Sequence, residues 1–85
     1  MKGITPSTLD RIRLIREKLE SGNLDLQRPS HLSWLCEQLR EVSYDLHEEL
    51  LMRGDEVRAI KVFEEFYLQF DRMAKFFSMV EEASE

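Results

Sequence analysis

The segment 55–82 constrains the fold most, because it carries two apolar rows at helical spacing on adjacent faces. Ile60, Phe63, Tyr67, Phe70, Ala74 and Phe77 recur at alternating intervals of three and four, the spacing of a heptad seam. Beside them Ala59, Val62, Phe66, Gln69, Met73, Phe76 and Val80 repeat the same intervals. A helix that is apolar over two faces has to be covered on two sides. Either both rows close into the core of one bundle, or a second polypeptide covers one of them. Tyr67, Phe70, Phe76 and Phe77 extend toward a region that a short first helix does not reach. That surplus marks Val62, Phe66, Met73, Phe76 and Val80 as the candidate homodimer interface.

The remaining elements follow from local signals. Thr5-Pro6 places a hydroxyl at a cap and proline at a first helical position, with Ser7-Thr8-Leu9-Asp10 as an alternative capping box. Leu9, Ile12, Ile15 and Leu19 then recur at helical spacing up to the stop at Ser21-Gly22-Asn23, which predicts a helix over 6–21. The connector 22–29 ends at Pro29 and is expected to tuck Leu24 and Leu26 under the helices. Ser30 is the expected cap of a helix over 30–53, whose Leu32, Leu35, Cys36, Leu39, Val42, Leu46 and Leu50 fall in one stripe. At Arg53-Gly54-Asp55, glycine is a left-handed stop and aspartate the next cap, so a second long helix runs antiparallel over 55–82. The rival is one long helix kinked at Gly54. The expected fold is all-α in a single domain, 1–85. It is a three-helix bundle made of an antiparallel hairpin of two long helices and a shorter N-terminal helix.

Composition limits the function. With 42% hydrophobic and 34% charged residues, the chain reads as an ordered soluble domain, and no apolar run approaches the length of a membrane span. Met1-Lys2-Gly3-Ile4 opens no apolar signal core, so a cytoplasmic protein with no membrane partner is expected. A net charge of −5 argues against binding dominated by nucleic-acid phosphates. The charge is uneven. Residues 1–22 carry five basic and three acidic side chains, against two and five in 31–53 and four and eight in 54–85.

Catalytic constellations fail on type or spacing. His47-Glu48-Glu49-Leu50-Leu51 begins like the zinc-protease helix motif but has leucine where the second histidine must stand. A di-iron bundle needs glutamate three residues before a histidine, and Arg28 and Tyr44 occupy those places. Cys36 and His47 lie about 16 Å apart along one helix, too far for a nucleophile and its base. No enzymatic activity, metal or cofactor is expected. Arg53-Gly54-Asp55 spells an adhesion tripeptide, but each residue already has a helix-boundary role.

One surface feature remains. Glu37, Glu41, Asp45 and Glu48 form an acidic row on the second helix, with Trp34 at its head, Tyr44 on its flank and Met52 at its far end. Like charges at i, i+4 cost roughly 0.2–0.5 kcal/mol per pair, so an idle surface gains nothing from the arrangement. Aromatic residues beside it are the usual anchors of interfaces. The competing reading has Arg11, Arg13, Arg16 and Lys18 of the first helix neutralise the row. Trp34, Glu37, Glu41, Tyr44, Asp45 and Glu48 are therefore the candidate site for a protein partner with a basic surface. The expected function is a small intracellular regulatory or adaptor protein acting as a homodimer. Two alternatives stand beside it: an acidic mimic that blocks a nucleic-acid-handling protein, and a DNA-binding regulator using the basic first helix.

Overall fold

A computed structural model of the chain describes residues 6–84. Helix one spans Pro6–Glu20 and helix two Pro29–Met52. Helix three runs over 56–84 in three consecutive pieces: α-helical Glu56–Val62, a π-helical turn Phe63–Tyr67, and α-helical Leu68–Ser84. The fold is thus all-α, an antiparallel hairpin of two long helices with a shorter N-terminal helix, as the periodicity predicts. Thr5 lies outside the described residues.

The punctuation acts largely as read. Gly54 adopts φ +81 and ends helix two, and the carboxylate of Asp55 accepts the Arg58 backbone N–H as the cap of helix three. The kinked single helix is therefore not the arrangement. Helix two starts one residue earlier than expected. Arg28 occupies the cap position without a side-chain bond, and Pro29 takes the first helical turn, where its missing N–H costs nothing. The connector is held by side chains bonded to its backbone: the Asp25 carboxylate accepts the Gln27 N–H, and the Asp25 N–H donates to His31 Nδ1 at 2.7 Å. Leu24 is half-buried, but Leu26 is exposed and is not tucked under the helices.

The π turn resolves the double row on helix three. The Leu68 N–H reaches back five residues to the Phe63 carbonyl, so one extra residue is taken up in the turn and the helix face rotates. Before the turn the residue pressed against helix two is Ala59, with no exposed surface, while Ile60 is 54% exposed. Tyr67, which closes the turn, is half-buried; after it Ala74 is buried and Phe70 and Phe77 are half-buried. The continuous seam expected from Ile60 to Phe77 is therefore broken: the inward face passes from one row to the other at the turn. With one residue of the turn removed, Ala59 and Ala74 would stand two heptads apart on an uninterrupted helix. Deleting Glu65, exposed in the turn, is accordingly expected to shift the urea midpoint little, by less than about 1 kcal/mol. Deleting a residue from the second helix should abolish the cooperative transition.

Helix two lies in the middle. Thr8 Oγ1 donates to Asp45 Oδ2 at 2.8 Å and Arg11 Nη1 to Gln38 Oε1 at 3.0 Å, which sets helix one antiparallel on one flank. On the other flank Arg40 Nη1 donates to Asp71 Oδ1 at 3.0 Å, and Ser33 Oγ bonds Ser78 Oγ at 2.8 Å. Among the described residues helix one touches helix two and no part of helix three. The bundle is consequently open, closer to a layer than to a closed triangle: 45 × 26 × 13 Å, three helices wide. Its buried hydrophobic residues are Ile15, Cys36, Ala59 and Ala74, joined by Thr8, Ser33 and Ser43.

Candidate interaction faces

Because helices one and three grip nearly opposite flanks of helix two, the two arcs between them become the two sides of the layer. At about 100° per residue, Leu35, Leu39, Val42 and Leu46 fall in one arc and Glu37, Glu41, Tyr44 and Glu48 in the other. The leucine stripe expected as core is thus only half-buried apart from Cys36, because no helix lies over it. Handedness places the flanking apolar residues on the same side. At about 100° per residue, Ile12 and Leu19 of helix one, and Phe66, Phe70, Met73 and Phe77 of helix three, fall on the leucine side. That side of the molecule is therefore mainly apolar, interrupted by Arg16 between Ile12 and Leu19 and by Gln69 between Phe66 and Met73.

The predicted acidic site is brought together on the opposite side, with one change. Trp34 is half-buried at the seam with helix one, and Lys18 Nζ stands 5.2 Å from the centre of its ring. Asp45 turns into that seam, where it accepts the Thr8 hydroxyl, and so leaves the free row. Tyr44 and Glu48 are exposed, and Glu37 and Glu41 are half-exposed. The neighbouring Glu48 carboxylate, followed by burial and a hydrogen bond to that same carboxylate, pushes the Tyr44 phenol above its ordinary pKa.

Among the described residues no ion pair joins helix one to the row, and of its four cations Lys18 stands over Trp34 at the row's head. Arg13 pairs with Asp10 on its own helix at 3.4 Å. Arg11 is spent on Gln38, and its Nε is buried without a partner. The cation that does reach the row is Arg40, whose Nε stands 3.2 Å from Glu41 while its other arm holds Asp71.

Beside Tyr44 lies a feature that the sequence does not announce. Tyr44, His47, Phe63 and Tyr67 form a ring cluster, with Phe63 and Tyr67 stacked at 4.9 Å between centroids. His47 Nδ1 lies 2.9 Å from the Ala59 carbonyl, just before the π turn. No spacing rule pairs residues across the hairpin, so the sequence carried no signal for it.

Of the proposed second-row residues, Phe66, Met73 and Phe76 are exposed, Phe76 to 58%, while Val62 and Val80 are half-buried. Among the described residues helix one contacts neither row. Among the described residues no group of three or more His, Cys, Asp or Glu stands close enough to hold a metal ion. Burial raises the Cys36 thiol pKa. No described helix is long and apolar enough to cross a membrane. Comparison with family models, curated proteins and solved structures gives no match.

Proposed function

We propose that this chain is a small protein-binding module of the cytoplasm, regulatory or adaptor in role, that works by occupying a basic surface on a larger protein. The observation that carries the reading is the acidic side of helix two. Glu37, Glu41 and Glu48 line one side of the layer with Tyr44 among them, and among the described residues no ion pair joins them to helix one, whose Lys18 stands over Trp34 at the head of the row. Arg40 is the cation that reaches the row, through Glu41. A row of repelling carboxylates costs the isolated helix stability that a cationic partner would restore. Trp34 and Tyr44 supply the flat aromatic area on which interfaces anchor.

The test is charge reversal where the fold does not depend on the charge. Asp45 is unsuitable, since its carboxylate holds Thr8. Glu37→Lys with Glu48→Lys is better, because glutamate and lysine have similar helix propensity. Immobilised wild type and double variant are compared for what they retain from cell extract at low and high salt. The expected result is a protein retained by wild type at low salt and released at high salt. The double variant should hold it about tenfold more weakly, roughly 1.4 kcal/mol for two reversed rim charges. Equal retention of the same proteins by both would remove this face as the site.

A further inference from the structure

We propose that the leucine side of the layer is covered by a second copy of this chain, with helix two running parallel to helix two of its partner about a two-fold axis along the helices. The proposal concerns the side opposite the acidic row, so it stands or falls independently of what that row binds. It also replaces the edge of helix three by the middle of the molecule as the site of self-association.

Four observations identify the occupant. The stripe on helix two is spaced 3-4-3-4 through Leu32, Leu35, Leu39, Val42 and Leu46, a heptad seam with no charged residue in it. Such a seam packs knobs into holes against an identical one. The side measures 45 × 26 Å, more than the roughly 800 Å² per partner that a standard interface takes. Among the described residues few hydrophobic side chains are buried, of which only Ile15 is large, so folding needs a cover present whenever the chain is present. Its own second copy satisfies that condition at every concentration where it folds. Finally, an axis along the helices lays helix one of each copy over helix three of the other. Helix one carries four basic and three acidic residues over 6–20, and helix three four basic and six acidic over 56–84, so the outer pairs are of opposite net charge. An axis across the helices would pair each with its own kind instead.

The full chain is measured by sedimentation equilibrium, and Leu35→Cys and Leu46→Cys are each made with Cys36→Ser and oxidised under mild conditions. The two positions lie about 16 Å apart along the helix. A parallel seam brings each into contact with its own copy, so both variants should give a disulfide-linked dimer, and the wild type should sediment at twice its 10.2 kDa mass. Phe76→Cys, at the outer edge of helix three, should not cross-link. Diluting the wild type should lower the mass and the helical circular dichroism together. A folded monomer at all concentrations overturns the proposal. So does cross-linking at only one of the two leucine positions, which indicates an antiparallel pair, or at Phe76→Cys alone, which puts the contact on helix three.

Discussion

Replacing Ala74 by leucine is expected to remove at least about 2 kcal/mol from a fold of this size, which has only roughly 3–5 kcal/mol to lose. The reason is the seam between helices two and three. Its buried side chains are all small: Ser33, Cys36 and Ser43 on one helix, Ala59 and Ala74 on the other. The Ser33 hydroxyl sits 3.5 Å from the Ala74 carbonyl and 2.8 Å from the Ser78 hydroxyl, so the backbones approach closely there. Leucine is a good helix former, so it would not weaken helix three itself. Its added carbons have no room, however, and would force the helices apart and strip the serine bonds. Arg72→Leu, two residues away and exposed, is the control and should stay within about 0.5 kcal/mol. Urea midpoints of the two variants at one fixed protein concentration decide the matter, since self-association would otherwise enter the comparison. An Ala74→Leu protein as stable as Arg72→Leu would mean that the hairpin is not closely packed at this seam.

The same seam explains what the sequence could and could not convey. Gly54, Asp55, Pro29 and the leucine spacing are local signals, and they locate the helices to within a residue or two. The partner of each face is not local. The leucines of helix two look identical whether another helix covers them or not. They stand half-open because helix one takes its place through Thr8, Arg11 and Lys18, on the flank marked by Asp45, Gln38 and Trp34. Burial on the hairpin side falls on serine, cysteine and alanine, which hydrophobic patterning passes over. The double row on helix three was visible, but not which half of each row turns inward, because the π turn adds a residue without any glycine or proline to mark it. The acidic site was legible as a row on one helix. That Asp45 leaves it for Thr8 depended on where helix one docks.

Acid should weaken the hairpin through Asp71. Its carboxylate accepts Lys75 Nζ at 2.9 Å and Arg40 Nη1 at 3.0 Å, joining helix three to helix two. The Lys75 bond, with Arg40 acting in the same direction against partial burial, holds Asp71 below the ordinary aspartate pKa. On the other helix, burial works against the Arg40 guanidinium, but the bonds to Asp71 and Glu41 outweigh it and raise its pKa. A carboxyl whose folded pKa is depressed contributes stability at pH values above its unfolded pKa and loses it as pH falls through the folded value. The contribution is therefore full at neutral pH and disappears below about pH 4, the ordinary aspartate range. Asp71→Asn should cost about 1–2 kcal/mol near neutrality, the scale of charge-assisted bonds discounted for partial exposure. The gap between wild type and variant should close in acid, because protonated Asp71 and the asparagine of the variant then offer Arg40 and Lys75 the same neutral acceptor. Urea unfolding at neutral pH and again well below the aspartate range measures both ends. A gap that persists in acid would show that Asp71 acts through its shape in the seam and not through its charge.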